Sequence, residues 1–477
     1  MKHLSADIVV LSAGTAGLAA AATAAEGDAS VIAFEKTAHT GGTTGSGIFA
    51  IESRLQKARQ YQLTREEAFK MYMDFTHWRV NARLVKTLMD ESADTIDWLE
   101  GLGVEFKELY SHGVGNAYTQ HTVKSDTPPG KGAPAAVMMK ILMERAKAKG
   151  ADIFLKTPVI QLLKKDNRIT GVIAQDASGE KIRAKSKAVI VATGGYSIGT
   201  MPGMPGGIGD GIRLAKEAGA SVKESNNKLS TDKAAPRMRM GFPNQPVLDN
   251  AFQQPGLWIN SLGERFMNEE ILLGMAFATN AISRQPGQQA FSIFDETTLE
   301  YYAHYGFDYL PFGDTVSRQQ LADYKTEVNQ LRATGSDSIF TANSLEEIST
   351  RTGIELTSLQ QTVSEYNKAA ETGRDNAFGK AARYLRPVTR PPFFVSLRRG
   401  NAITSWNGIK VNHKTEVLTP DYNVITGLYA AGMDIGCEIY YDTYPFILPA
   451  TAMGFAINSG RIAAMNALEY IKSENKN

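Results

Sequence analysis

The run Ile8-Val9-Val10-Leu11 is apolar at every position, the pattern of a short strand buried on both faces of a sheet. Gly14 and Gly17 follow it. An alanine-rich stretch then predicts a helix over about residues 18–25, and a second apolar run over 29–34 ends on Glu35. Residues 64–101 carry apolar positions at helical spacing behind a Thr64/Glu67 capping box, and they stop at Gly101 and Gly103. Residues 107–134 read as loop, with His112, Tyr118 and His121 as polar loop residues. A helix is predicted over 135–150, then strands near 153–155, 159–163, 169–174 and 188–193, the last opening into Gly194-Gly195. Gly209-Asp210-Gly211 opens a helix that closes at Gly219. From about 229 to 398 the texture changes to short strands (257–260, 290–295) among helices such as 344–372. The last part returns to the earlier style, with Gly427-Leu428-Tyr429-Ala430-Ala431-Gly432 ahead of a long helix over about 449–471. These elements predict an α/β fold. A Rossmann-like domain made of 1–228 and 399–477 carries an inserted α+β domain, 229–398.

The layout strand, glycine turn, helix, strand, carboxylate is that of a dinucleotide site. A small turn lets the backbone approach a pyrophosphate, the helix N-terminus faces its charge, and a carboxylate at the second strand's end accepts from a ribose hydroxyl. Here the turn is Ser12-Ala13-Gly14-Thr15-Ala16-Gly17 and the carboxylate is Glu35. Serine stands where the fingerprint has its first glycine, a position that favours left-handed φ. Beyond Glu35, threonines, glycines and Ser46 fill residues 37–47, a loop rich in N–H and hydroxyl donors and suited to a polar cofactor.

Composition narrows the class. The 477 residues carry 51 basic against 50 acidic side chains, so no charge excess points to nucleic acid or an anionic membrane. The single cysteine, Cys437, excludes an internal disulfide and a Cys-x-x-Cys-His haem site, and no metal site is expected. No apolar run of spanning length and no secretory signal is readable, so a cytoplasmic protein without a membrane span is expected.

Six motifs in order carry a resemblance: DIVVLSAGTAGL with Glu35; TGGTTGSG; ITGVIA with AVIVATGGY; GIGDGIRLAKEAGA; LWINSLGERFMNE; and GLYAAGMDIG. The chain resembles the fumarate reductase / succinate dehydrogenase flavoprotein superfamily, which includes ketosteroid dehydrogenases and urocanate reductases. The resemblance implies an FAD-binding domain with a capping domain over the flavin. Carried over by position, it places Ser12, Gly14 and Gly17 at the pyrophosphate and Glu35 at the ribose. Lys36, Thr43, Thr44 and Ser46 fall along the phosphates and flavin, Val159 faces the adenine, and Thr193-Gly194 forms the turn beside it. Asp434 takes the place of a usual glutamate near the ribityl chain. Leu448 to Thr451 lie where a helix N-terminus faces the flavin. The spacing from His39 to Ser46 does not match the covalent-flavin pattern, so non-covalent FAD is expected.

The family's catalytic residues do not carry over. After Ile293-Phe294-Asp295 the chain reads Glu296-Thr297-Thr298-Leu299, with no acid arginine. The carboxylate-binding histidines align with Ile403-Thr404, and the second arginine with Ile447. Little positive charge is left to anchor a dicarboxylate. In their place stands Cys437-Glu438-Ile439-Tyr440-Tyr441-Asp442-Thr443-Tyr444. Reduction of an activated C=C needs a hydride at one carbon and a proton at the next, and a phenol is able to supply the proton. Tyr440 and Tyr444 are therefore the catalytic candidates. The expected activity is an FAD-dependent ene reductase on a non-dicarboxylate substrate, with a separate electron donor or acceptor. A ketosteroid-type dehydrogenase and a flavin-binding protein without fumarate-type chemistry stand as alternatives. Glu269 is read as ordering the capping domain. Arg398 and Arg399 are read either as anchors for one acidic or phenolate group or as hinge or surface charges.

Overall fold

The computed structural model describes residues 1–42, 45–111, 117–126, 133–195, 207–223, 246–309, 316–399, 407–440 and 444–475. They fall into two compact units. The first holds Met1–Ser111, Asn116–Leu229 and Ala402–Asn477, and the second is drawn from Ser230–Asn401.

In the first unit Ile8–Leu11 (β1) lies at the centre of a parallel sheet, and all four residues are buried. Val31–Phe34 (β2) pairs on one side, Ile8 opposite Val31, and Ala188–Val191 (β3) on the other, Ala188 opposite Ile8. Asp152–Phe154 adds outside β2, and Val424–Ala430 (β4) outside β3. Continuous apolar runs mark strands covered on both faces, which is why β1, β2 and β3 show no alternation. Beyond β4 the sheet continues through an antiparallel meander, Val159–Lys165, Arg168–Gln175 and Lys181–Lys185.

The helix after β1, Thr15–Glu26 (α1), is apolar nearly all round because it is enclosed: Ala19, Ala20, Ala21, Ala22 and Ala24 have no exposed surface. Its neighbour is the C-terminal helix Thr451–Glu474 (α3). The two approach so closely that a Cβ on Gly460 would lie 2.3 Å from the Ala16 carbonyl oxygen. A third helix, Asp210–Glu217 (α2), starts on Gly209 at φ 75°.

Three expectations from periodicity are corrected. Residues 64–101 form two helices, Arg65–Phe75 and Ala82–Gly101, because His77 and Trp78 take φ of 52° and 57° between them. The Thr64/Glu67 capping box is formed at the first of these. Residues 344–372 are likewise split into Leu345–Thr352 and Leu356–Thr372 at Gly353, φ 75°. The stretch read as loop contains two strands, Phe106–Tyr110 and Gln120–Val123, which join Gly47–Phe49 in a three-stranded sheet. His121 is wholly buried in that sheet and is not a solvated loop residue. Polar side chains disguise the strand because internal hydrogen bonds satisfy them.

The second unit is built on an antiparallel sheet in the order Leu257–Ile259, Gln289–Asp295, Phe393–Arg399, Ile339–Ala342. Leu356–Thr372 covers one face through Leu359, Val363 and Tyr366, packed with Ile293 and Val395. Inside the unit, Arg265 forks onto Glu269 (2.7 Å) and Asp375 (3.0 Å), and the Lys380 ammonium sits 3.3 Å from Glu269. All four side chains are at most 8% exposed. Burial pushes Lys380 down to about 8, and the Arg265 partnership draws Asp375 to about 2 despite burial. The network ties the 257–269 and 375–380 segments together, so Glu269 is held by structural cations.

Candidate functional site

The turn after β1 is held by the end of β2. Ser12 takes φ 84°, the left-handed conformation expected of a glycine. Its Oγ donates to Glu35 Oε2 (2.8 Å) and accepts from the Gly14 N–H (3.1 Å). The Ala13 N–H donates to the same carboxylate oxygen (2.9 Å), and the Thr37 N–H to Oε1 (2.8 Å). At Gly17 the backbone is irreplaceable: a Cβ there would lie 2.0 Å from the Ser12 carbonyl oxygen. Gly14 begins α1, which has no side-chain cap and no acid in its first turn. The positive end of the α1 dipole is therefore not offset by a cap or an acid of its own. Gly41 and Gly42 close over this end. The Gly41 N–H donates to the Ala13 carbonyl (2.8 Å), and Gly42 lies so near that its Cβ would be 3.2 Å from Gly14 Cα.

The other predicted positions gather around the same sheet edge. The Thr157 N–H donates to the Glu35 carbonyl (2.8 Å) and the Lys156 N–H to that of Thr37 (2.9 Å), which brings Val159 to the carboxylate end of β2. Lys36 pairs with Asp210 at the start of α2 (2.9 Å). Asp434 is fully buried, and its carboxylate is taken up by the turn after β3. Thr193 donates from both N–H and Oγ1, and Gly194 and Gly195 donate their N–H groups, each at 3.1 Å. Burial raises this carboxyl to about 6, against the hydrogen bonds, which lower it. Asp434 thus holds the Thr193-Gly194 turn in shape, and most of its acceptor capacity is spent there.

A second cluster lies at the start of α3. Ser46 is exposed and accepts from Gln120 Nε2 (2.9 Å), and the Gly45 N–H points at the Met453 sulfur. Gln120 and Met453 were not singled out by sequence; only their place beside the glycine loop reveals them. Underneath, His121 Nδ1 lies 3.1 Å from the Thr119 carbonyl and Nε2 2.6 Å from Ser53 Oγ. A carbonyl only accepts, so Nδ1 carries the proton and Ser53 donates to Nε2. Burial pushes His121 down to about 4, so the ring stays neutral. Thr119 Oγ1 in turn donates to the Pro449 carbonyl (3.0 Å), fixing the chain as it enters α3.

The tyrosines differ. Tyr444 is half-buried, and its hydroxyl oxygen accepts the Ala452 N–H in the first turn of α3 (3.0 Å). Tyr440 has no exposed surface, and its hydroxyl has no hydrogen-bond partner among the described residues. The two rings lie 5.3 Å apart. Burial drives Tyr440 and Tyr72 far above the ordinary phenol range, and Tyr72 donates to the Ile439 carbonyl (2.7 Å). Asn81 and Lys410 hold Glu438 (2.9 and 2.7 Å), so the approach to the tyrosines is fixed from several elements. Leu448 and Thr451 are buried, and Thr451 Oγ1 donates to the Leu448 carbonyl; Ala450, Ala452 and Met453 are the accessible part of this turn. Thr43 and Thr44 lie outside the described residues, as do Tyr441, Ile403-Thr404 and Trp406.

In the second unit Arg398 is not a surface charge. It is fully buried, 3.5 Å from Asp249 and stacked over Phe252 (5.3 Å). Arg399 is half-buried and donates to Gln289 Oε1 (2.9 Å). Asp295 caps the following helix through the Thr298 N–H (2.9 Å), so the segment that lacks the acid arginine serves as a helix start. Among the described residues no group of His, Cys, Asp and Glu is placed to hold a metal, and no helix is long and apolar enough to cross a membrane.

The FAD binding domain family matches residues 7–445. A vinyl phenol reductase of Lactiplantibacillus plantarum is 33% identical over 98% of this chain and 97% of its own length. A probable fumarate reductase of Shewanella frigidimarina is 26% identical over 97% of this chain and 75% of its own. Among solved structures, a 3-ketosteroid-Δ4-(5α)-dehydrogenase of Rhodococcus jostii covers 98% of this chain and 97% of its own, with TM-score 0.72 and 23% identity. That likeness shows the shared fold. The cradle fits an adenine dinucleotide on its own geometry: an uncapped helix N-terminus, a turn where Gly17 admits no side chain, and a buried carboxylate whose Oε1 accepts from the Thr37 N–H. The chain belongs to the FAD-binding flavoprotein family that contains the fumarate reductases.

Proposed function

We propose that this protein is an FAD-dependent reductase of a carbon–carbon double bond conjugated to a phenol or carbonyl group. The observation that carries the reading is Tyr444, a phenol seated on the first turn of α3 where fumarate-type cationic anchors are missing. The vinyl phenol reductase aligned over almost the whole chain supports the substrate class. When bound, FAD supplies hydride to one carbon of the double bond. The chain's part is to place that carbon and to give a proton to its neighbour. The Ala452 N–H occupies one lone pair of the Tyr444 oxygen and holds the phenol in place as the proton donor. The N-terminal end of α3 stabilises the phenolate left after transfer, which water then reprotonates. Tyr440, wholly enclosed, acts as the packing neighbour of Tyr444.

In this reading the α1 N-terminus with Gly14 and Gly17 faces the pyrophosphate, Glu35 the ribose and Val159 the adenine. Ser46 and the opening of α3 flank the flavin. FAD is held without a covalent link, His39 being an exposed loop residue. Electrons arrive from a separate carrier. The test is anaerobic: viologen-reduced enzyme is mixed with 4-vinylphenol, an enone and fumarate, and flavin reoxidation is followed. Rapid reoxidation by the first or second and none by fumarate is expected. Turnover only in the dehydrogenating direction, with a dye acceptor, would replace this reading by the ketosteroid-type one. Reoxidation by no alkene would leave a flavin-binding protein without this chemistry.

A further inference from the structure

Ser12 occupies the first position of the glycine turn with φ 84°, so the chain keeps glycine's backbone without glycine. A serine is strained there. A residue retained merely as a tolerated replacement would have a solvated side chain, whereas this hydroxyl is committed at both ends. It donates to Glu35 Oε2 (2.8 Å) and accepts from the Gly14 N–H (3.1 Å). The Ala13 N–H completes the contact with the same oxygen (2.9 Å), and Glu35 is 5% exposed. The hydroxyl therefore bridges the end of β2 and the residue that opens α1; a glycine here would keep the backbone bond to the Phe34 carbonyl (2.7 Å) and the Ala13 N–H contact but lose the side-chain link to Gly14 and Glu35.

We infer that Ser12 is a positioning residue for the cofactor: its hydroxyl latches the Glu35 carboxylate to the turn before FAD arrives. One oxygen is held by Ser12 and Ala13. The other, with the Thr37 N–H at 2.8 Å, is turned to receive a ribose hydroxyl. The latch converts a flexible glutamate into a fixed acceptor, and the strain at Ser12 is offset by a hydrogen bond to an anion. This rests on the FAD reading above and changes the part Ser12 plays in it, from pyrophosphate contact to holder of the ribose carboxylate.

Strain and latch predict opposite outcomes for one substitution. Ser12→Gly relieves the left-handed φ, so a tolerated serine predicts a more stable protein with unchanged FAD affinity. The latch predicts weaker binding by about tenfold, equivalent to about 1.4 kcal/mol. FAD dissociation constants would be measured by flavin fluorescence on wild-type, Ser12→Gly, Ser12→Ala and Glu35→Gln apoproteins and on the Ser12→Gly/Glu35→Gln double variant. Amide hydrogen exchange of the 8–18 segment in the apoprotein is the second readout. The expected result is tenfold weaker binding in Ser12→Gly, no less in Ser12→Ala, and faster exchange in both. In the Glu35→Gln background the Ser12→Gly effect should shrink to about twofold or less. Unchanged affinity and exchange in Ser12→Gly overturn the latch while leaving the cofactor reading intact. A wild-type protein that binds no FAD overturns the cofactor reading, and exchange in the apoprotein then decides the latch alone.

Discussion

The nucleotide turn and the tyrosine segment handle polar groups in contrasting ways. At the turn, Glu35 collects Ser12, Ala13 and Thr37, all within residues 12–37, and the geometry is complete in the chain itself. At the start of α3, Tyr444 spends one lone pair on Ala452, and Tyr440 buries a hydroxyl with no partner among the described residues. The first region is assembled from neighbours in sequence. The second is assembled from 45–53, 72–81, 119–121 and 438–453, so its chemistry depends on tertiary placement. In the proposed function the shared cofactor is met by the first kind of site and the substrate by the second.

The largest expected effect tests whether the second region does chemistry. Tyr444→Phe should lower turnover by about 10²-fold or more, the ordinary weight of a general acid, while flavin content on gel filtration stays at the wild-type level. Full activity would reduce the contrast to one of packing. Next is acidification, which should loosen the tyrosine end selectively. His121 is neutral in the fold at about 4 against an ordinary 6.5, so the unfolded chain takes up the proton first as pH falls. Its stabilising contribution is complete above about pH 6.5 and is lost on the way down to about pH 4, some 3 kcal/mol at about 1.36 kcal/mol per pH unit. Asp434, raised to about 6, works in the opposite direction over the same window, so the loss is read as a difference: in urea unfolding between those limits the wild type should lose stability relative to His121→Gln as pH falls. The smallest effect is that of Tyr440→Phe. Removing a buried hydroxyl without a partner should leave turnover within about threefold and stability unchanged or raised by up to about 1 kcal/mol, read by thermal unfolding. A large loss of turnover would move the proton donor from Tyr444 to Tyr440.

Legibility followed the same division. The parallel sheet, α1 and Glu35 were readable because apolar runs and a glycine turn are local signals, and the family resemblance rests on these. The strand 120–123 was missed because Gln120, His121 and Thr122 are buried by hydrogen bonding, which periodicity does not register. The helix breaks at His77 and Trp78 were missed because neither residue announces a positive φ. Asp434 was placed beside the cofactor by motif alone. Its grip on the Thr193-Gly194-Gly195 turn became apparent only once β3 and β4 were paired. The two tyrosines, equivalent as letters, were separated by exposure.

The bare contact between Ala16 and Gly460 has a consequence for how such proteins diverge. Main chain meets main chain there, so no side chain is available to lengthen or shorten the gap between α1 and α3. The spacing of α1 and α3 is set like a fixed gauge. The residues ahead of α3 are then free to change while the spacing beneath them stays constant.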